Sequence, residues 1–553
     1  MNSQGPLIIQ SDHTILLEVA HPSYRECRNF LSPFAEMVKS PEFMHTYRLT
    51  PLSIWNAVAL GMTSDEIIQG LHGYAKYQIP GNVVSAIAEW AGIYGQLILK
   101  KLSDDSLYLE VKDRIIFSRL KENEDIKPFW TETSKQGFIV APGLRGELKH
   151  KLIKFGYPVK DICGYITGEP LAIKLEDRGG DGQPFSLRPY QHEAVQAFHQ
   201  SGRATGGSGI VVLACGSGKT IVGLGVMEEV GAQTLIITTN NVSIHQWRQE
   251  ILSRTNLKKD LVGEFNSFAR DIRPITLTTY QMLTYRRTQD EDFPNLRLFT
   301  DQNWGLIIYD EVHMLPAPVF RATSSIQAKR RLGLTATLIR EDGKEDDVFA
   351  LIGPKKYDLP WKLLEEQGFI AEAQCIEYRL PLPPAEELEY AYAPKRQRFR
   401  IASENSNKLK LVKELLSHHS QDSILIIGQY ISQVEIVAKE LNAPIITGKT
   451  RQEERNRLYQ EFREGTLKIL VVSKVANFAV DLPDANVMLQ LSGTFGSRQE
   501  EAQRLGRILR PKTRPSLFYT LVSHNTDEQK FATNRQMFLV EQGYRYHIRY
   551  YKP

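Results

Sequence analysis

The segment GSGKT (216–220) stands between an apolar run, GIVVLAC (209–215), and a helical pattern, IVGLGVMEEV. Gly216, Ser217 and Gly218 let the main chain wrap an anion closely, with its N–H groups facing phosphate oxygens. Lys219 would reach the β- and γ-phosphates of a nucleoside triphosphate, and the Thr220 hydroxyl would hold Mg²⁺. The helix that follows puts the positive end of its dipole at the same anion. One position departs from the full G-x-x-x-x-G-K-[ST] pattern: Leu213 stands where the first glycine belongs.

A carboxylate at the end of a buried strand would complete such a site. Of four Asp-Glu pairs (65–66, 290–291, 310–311 and 527–528), only Asp310-Glu311 follows a buried-strand pattern, WGLIIY. There Asp310 would hold Mg²⁺ through water, and Glu311 would orient or deprotonate the attacking water. A third stretch, QRLGRILRP (503–511), spaces Gln503, Arg507 and Arg510 at i, i+4 and i+7, one face of a helix. Two arginines there would neutralise charge on a transferred phosphoryl group, an effect of about 10³–10⁵ in rate.

These groups need strand ends to hold them. The strands expected are GIVVLAC, TLIITT (234–239), ITLTTY (275–280), GLIIYD (305–310) and LGLTAT (332–337). A second series is ILIIG (424–428), ILVVS (469–473), VMLQLS (487–492) and LFYTLV (517–522). Near-continuous Ile/Val/Leu runs alternating with amphipathic helices predict two doubly wound parallel sheets, an α/β fold class. In such sheets ligands sit at the carboxyl ends of the strands. Hydroxyls just after the strands, Thr239, Thr279 and Ser473, are therefore candidates to meet a ligand's phosphates.

Upstream, residues 1–103 read as a mostly helical domain, and 104–180 as a small α+β domain ending in a Gly-rich linker, LEDRGGDGQPFS (175–186). In the small domain SLYLEV, RIIFSRL and GFIVAP are expected as strands, and LRGELKHKLIKFG as a helix. The first α/β lobe is placed at 181–365, a connector at 366–408 and the second lobe at 409–553.

The 553 residues are 42% hydrophobic and 24% charged, which excludes a disordered chain, a collagen-like repeat and a small disulfide scaffold. No run reaches the length of a membrane helix, and the first residues lack the charged and apolar regions of a signal peptide. Cys27, Cys163, Cys215 and Cys375 are scattered, without the close spacing of a zinc or iron–sulfur site, and a reducing cytoplasm is expected. A net charge of +4 is too small to argue for nucleic acid by itself.

GSGKT, DEVH (310–313), LTAT (334–337) and QRLGRILR, in this order, resemble motifs I, II, III and VI of superfamily 2 helicases. More narrowly, RPYQ (188–191), LIRED (338–342), SKVANFAVDLP (473–483), GSRQEEAQRLGRILRP (496–511) and NRQMFLVEQGY (534–544) resemble the XPB family in its bacterial or archaeal form. PLIIQSD (6–12) and HTYRLTPLSIWNA (45–57) extend the likeness more loosely to the amino-terminal region. The resemblance implies two RecA-like domains with ATP in their cleft. It implies Arg188 and Gln191 on adenine, and His313, Thr335 and Thr337 coupling the nucleotide to the DNA groove. Asp481 would sit near the ribose, and Arg340, Glu341 and Asp342 would form the triplet associated with opening the duplex. Residues 104–175 would correspond to a damage-recognition domain.

A thumb-like insertion is expected at 383–408, shorter than the family's thumb. Its Lys395, Arg396, Arg398 and Arg400 would neutralise phosphates beside Tyr390, Tyr392 and Phe399, whose rings would stack on bases. The function expected is an ATP-dependent DNA helicase, of 3′–5′ polarity by family, acting without sequence preference on forked or damaged duplex. A nuclease partner, as in some archaeal relatives, is admitted. The rival readings are a double-strand translocase that does not unwind, an RNA helicase, and a scaffold without turnover. The terminal YRYHIRYYKP reads as a packed or solvated tail.

Overall fold

The computed structural model describes residues 5–553 except 40–42, 104, 135, 181, 204, 289–292, 327–328, 339–344, 474–484, 495–496, 507 and 510–514, and the side chains of 321, 452 and 499. Two all-parallel sheets of seven strands dominate. In chain order the first contains Ser208–Val212, Thr234–Thr238, Val262–Phe265, Ile275–Thr279, Leu306–Asp310, Arg330–Thr335 and Lys355–Asp358. The second contains Ala373–Leu380, Ile424–Gly428, Ile445–Ile446, Ile469–Ser473, Val487–Gln490, Ser516–Ser523 and Tyr546–Tyr550. Counted one to seven along the chain, both sheets have the spatial order 3-4-2-5-6-1-7. The central strands are buried along their whole length, as the apolar runs required.

Every strand expected from those runs is present. Five others were not expected, and all lie at or next to a sheet edge: Lys355–Asp358, Ala373–Leu380, Val262–Phe265, Ile445–Ile446 and Tyr546–Tyr550. The presumed tail is thus an edge strand, and Ala373–Leu380, assigned to a connector, is the first strand of the second lobe.

The first hundred residues correct the mostly helical expectation. An antiparallel sheet in the order Leu7–Ile9, Thr14–Glu18, Met44–Arg48, Glu36–Lys39 packs with helices Pro51–Ala59, Ser64–Tyr74 and Gly81–Ile93. Capping boxes at Thr50 and Thr63 start two of these helices. Val540, from the last long helix of the second lobe, completes this domain's apolar core. A five-stranded sheet follows, and its strand Leu97–Lys101 lies before the expected boundary at 104. RIIFSRL is not a strand but lies in helix Arg114–Glu122. Asp113 starts it by accepting from the N–H groups of Ile115 and Ile116, a cap that outweighs the β-branched pair. This domain docks on the first lobe, where His150 Nε2 lies 2.6 Å from Asp347 Oδ1. Among the described residues no helix is long and apolar enough to cross a membrane.

Candidate functional site

Strand Ser208–Val212 ends against a loop that turns at Gly216, Ser217 and Gly218 into helix Lys219–Val230. Gly218 has φ +85°, and a Cβ there would stand 2.6 Å from Gln191 Nε2, so both conformation and space demand glycine. Ser217 is fully buried and its carbonyl accepts from Tyr190 Oη at 2.5 Å and Gln191 Nε2 at 3.0 Å. The Gln191 Oε1 atom accepts from the Arg188 N–H at 3.0 Å, and the Arg188 guanidinium lies 5.3 Å over the Phe369 ring. RPYQ therefore braces the loop from behind.

Lys219 Nζ stands 3.4 Å from Glu311 Oε1, and Thr220 is the next residue of the same helix. Glu311 follows strand Leu306–Asp310 with φ +51°, a left-handed conformation that costs a non-glycine residue of order 1 kcal/mol or more. Asp310 is held from two sides: Trp247 Nε1 donates to its Oδ2 at 2.9 Å, and Tyr280 Oη to its carbonyl at 3.0 Å. Burial pushes the Asp310 carboxyl up to about 6; the Glu311 charge adds to this and the Trp247 bond opposes it. Burial also acts against the Glu311 charge, but Lys219 and then His313 hold it below its ordinary value. Lys219 is raised, since Glu311 foremost more than offsets the loss of hydration.

Hydrogen bonding fixes the direction of a relay. Thr335 Oγ1 donates to the Thr337 carbonyl at 2.5 Å and accepts from the Thr337 N–H at 3.1 Å. With its one hydrogen spent, it can only accept from His313 Nδ1, 2.7 Å away, so the imidazole carries its proton on Nδ1. That nitrogen also lies 3.5 Å from Glu311 Oε2, a buried oxygen with no hydrogen-bond donor on it among the described residues. Lys219, Glu311, His313 and Thr335 are thereby linked contact by contact from the phosphate loop to the end of strand Arg330–Thr335.

The second lobe reaches the same loop. Helix Arg498–Gly506 ends where a Cβ on Gly506 would lie 2.1 Å from Cys215 Cβ, so only glycine lets the lobes approach this closely. Gln503 is on this helix, partly exposed. Ile508 and Leu509 lie beyond its described end and are not helical. Arg507, Arg510, Asp481, Arg340, Glu341 and Asp342 lie outside the described residues.

The expected DNA contacts divide. Thr239 is half-buried beside Asn240, whose Nδ2 donates to its hydroxyl at 3.0 Å. Thr279 Oγ1 is consumed as a helix cap, accepting from the Met282 N–H at 3.0 Å. Ser473 is buried, with no hydrogen bond on its hydroxyl among the described residues. In the insertion, helices Pro384–Tyr392 and Lys395–Ser403 leave Lys395 and Arg396 exposed. Arg398 donates to the carbonyls of Ala393 and Ala391, and Arg400 pairs with Glu404 at 2.9 Å. Phe399 is buried 5.1 Å from the Phe531 ring, which corrects its reading as a stacking group, and Tyr390 Oη accepts from the Asp527 N–H. Trp247 was missed because a tryptophan on an amphipathic helix carries no signal beyond core packing.

Family models match along the chain: "ERCC3/RAD25/XPB C-terminal helicase" over 364–551, "Type III restriction enzyme, res subunit" over 184–340, and "Helicase conserved C-terminal domain" over 7–135. The chain is 48% identical to a protein of Kineococcus radiotolerans named DNA 3′-5′ helicase XPB, covering 99% of this chain and 96% of that one. Identity to the Mycobacterium tuberculosis protein of the same name is 47%, covering 99% and 98%. A Schizosaccharomyces pombe protein, named general transcription and DNA repair factor IIH helicase/translocase subunit XPB, is 32% identical, covering 97% of this chain and 75% of its own.

Proposed function

Since the chain belongs to the XPB family of DNA helicases, we propose that it is an ATP-driven, 3′–5′ DNA helicase that opens or remodels duplex DNA without reading its sequence. The observation that carries this reading is the contact chain Lys219–Glu311–His313–Thr335, with Gly506 of the other lobe seated against Cys215.

ATP would bind with its phosphates at Gly216, Ser217, Gly218 and Lys219, and its base toward Arg188 and Gln191. The residues fit Mg²⁺. Thr220 and Asp310 offer only hard oxygen donors, and no group of three or more His, Cys, Asp or Glu among the described residues would cage an ion. That suits a cation sharing its shell with phosphates and water, which neutralises phosphoryl charge when bound. Lys219 neutralises the γ-phosphate, and Glu311, its charge maintained by Lys219, accepts a proton from the attacking water through the open Oε2. His313 and Thr335, with Thr337, pass a change at Glu311 to the first lobe's strand end. Gln503, Arg507 and Arg510 would close on the γ-phosphate from the second lobe and release after hydrolysis, with Asp481 near the ribose. Repeated closure and release would drive Thr239 along a strand, while Arg340, Glu341 and Asp342 part the bases. Each base-pair step holds about 1.4 kcal/mol of stacking, so continued opening must draw on ATP.

Acting on DNA, it would work in a bacterial or archaeal cytoplasm, in repair or transcription, with a nuclease as one class of partner. The test is phosphate release with DNA, RNA or neither, alongside unwinding of a forked duplex. Stimulation by DNA and fork opening are expected; stimulation by RNA alone overturns the reading. The name of the fission-yeast relative favours one second reading, a translocase: triplex displacement without fork opening would select it.

A further inference from the structure

We propose that the hairpin tip carrying Phe268 is a stacking site for nucleobases of the gripped strand; this rests on the DNA-motor reading above. Phe268 is 87% exposed, more than any other large hydrophobic side chain among the described residues. Its exposure is not slackness. Phe265 and Arg270 form a bridge, and the Asn266 N–H donates to the Ala269 carbonyl at 2.8 Å, closing a tight turn. The buried Asn266 side chain ties that turn from within. Its Oδ1 accepts from the N–H groups of Phe268 at 2.8 Å and Ala269 at 2.9 Å, while its Nδ2 donates to Glu264 Oε2 at 3.0 Å. The backbone of Phe268 is therefore fixed and its ring held in solvent.

Register places this tip on the ligand edge. Phe265 pairs with Thr278, and Thr279 pairs with Thr238, so residues 266–269 emerge beside Thr279 and Thr239. The same carboxyl edge carries Asp310. A second brace joins the tip to the segment after Thr279. Arg270 lies 5.4 Å over the Phe265 ring and reaches Asn295 Oδ1 at 3.5 Å, and Asn295 Nδ2 donates to the Met282 carbonyl at 2.7 Å. That segment ends in Tyr285, 52% exposed, followed by exposed Arg286 and Arg287. Rings interleaved with cations on one braced edge are what a single strand requires: cations for its phosphates and π-faces for its bases, with no choice among sequences.

The full chain is titrated with a short oligo-dT strand and with the same strand made abasic. Phe268→Ala is expected to weaken oligo-dT binding about five- to 150-fold, the range of one stacked base. On the abasic strand the difference between wild type and Phe268→Ala should vanish, because the phosphates are unchanged. Tryptophan emission of Phe268→Trp should be quenched by oligo-dT and not by the abasic strand. Melting temperatures of both variants should match wild type, as the ring packs on nothing. If wild type binds oligo-dT, yet Phe268→Ala binds equally well and Phe268→Trp emission does not respond, stacking is refuted while the motor reading stands. If wild type binds no DNA, both fall together.

Discussion

Both lobes are built on one plan, with seven parallel strands in the order 3-4-2-5-6-1-7, yet each buries a lysine–glutamate pair of opposite character. In the second lobe, Lys408 Nζ is shared between both Glu528 oxygens, at 2.8 and 2.9 Å, and also donates to the Leu491 carbonyl at 2.7 Å. Glu528 in turn accepts from the Ser523 N–H. Every charge there is answered inside the protein. In the first lobe, Lys219 and Glu311 stand 3.4 Å apart, Glu311 is held in a left-handed conformation, and its Oε2 takes no donor among the described residues. The second lobe's pair is complete, and the first lobe's pair keeps bonding capacity in reserve. Folds host chemistry where loops leave such capacity open. At strand five the lobes diverge in the same way: Asp310-Glu311 in one, and in the other Gln490, locked by Arg504 at 2.6 Å and by Glu501.

The contrast breaks first at Glu311. Glu311→Gln is expected to lower phosphate release about 10²–10⁴-fold with the fold intact, since the open oxygen loses its basicity. Turnover that survives would mean the reserve at Oε2 serves no chemistry. The second lobe should behave in the opposite way. Lys408→Met strands the buried Glu528 charge and should cost about 3–5 kcal/mol of stability, read as an earlier unfolding transition. Adding Glu528→Leu should recover most of that loss, because an apolar pair of similar volume replaces a satisfied ion pair at little cost. No paired substitution at Lys219 and Glu311 should recover turnover.

A smaller effect separates positioning from packing. Trp247→Phe keeps an aromatic ring in the core but removes the N–H that holds Asp310 Oδ2. The Mg²⁺ concentration needed for half-maximal phosphate release should rise about tenfold, the usual scale for losing an outer-shell partner. An unchanged Mg²⁺ requirement with a lowered melting temperature would make Trp247 a packing residue only.

What was legible in the sequence follows from burial. Strands covered on both faces, such as Thr234–Thr238 and Ile424–Gly428, appear as unbroken apolar runs. Edge strands such as Lys355–Asp358 and Tyr546–Tyr550 are partly exposed and polar, and resemble loops or tails. The phosphate loop and the Asp-Glu pair were legible because their chemistry fixes residue type and spacing at once. Trp247 was not, nor was the spending of the Thr279 hydroxyl on a helix cap, because both depend on which neighbour the fold brings up.

The smallest effect tests whether exposed charge in the insertion follows the same rule as the buried pairs, with spent groups structural and unspent ones free to bind. Arg398 is spent on two carbonyls and lies 5.8 Å from the Tyr390 ring, whereas Lys395 and Arg396 face solvent. Joint replacement of Lys395 and Arg396 by alanine should weaken DNA binding uniformly across sequences. The slope of log affinity against log salt should become shallower by about two, one for each lost phosphate contact. Arg398→Ala should leave that slope nearly unchanged and lower the melting temperature instead, since its loss unties helix Pro384–Tyr392 from helix Lys395–Ser403. If Arg398→Ala shifts the slope and the double variant does not, the division between spent and unspent cations fails in the insertion.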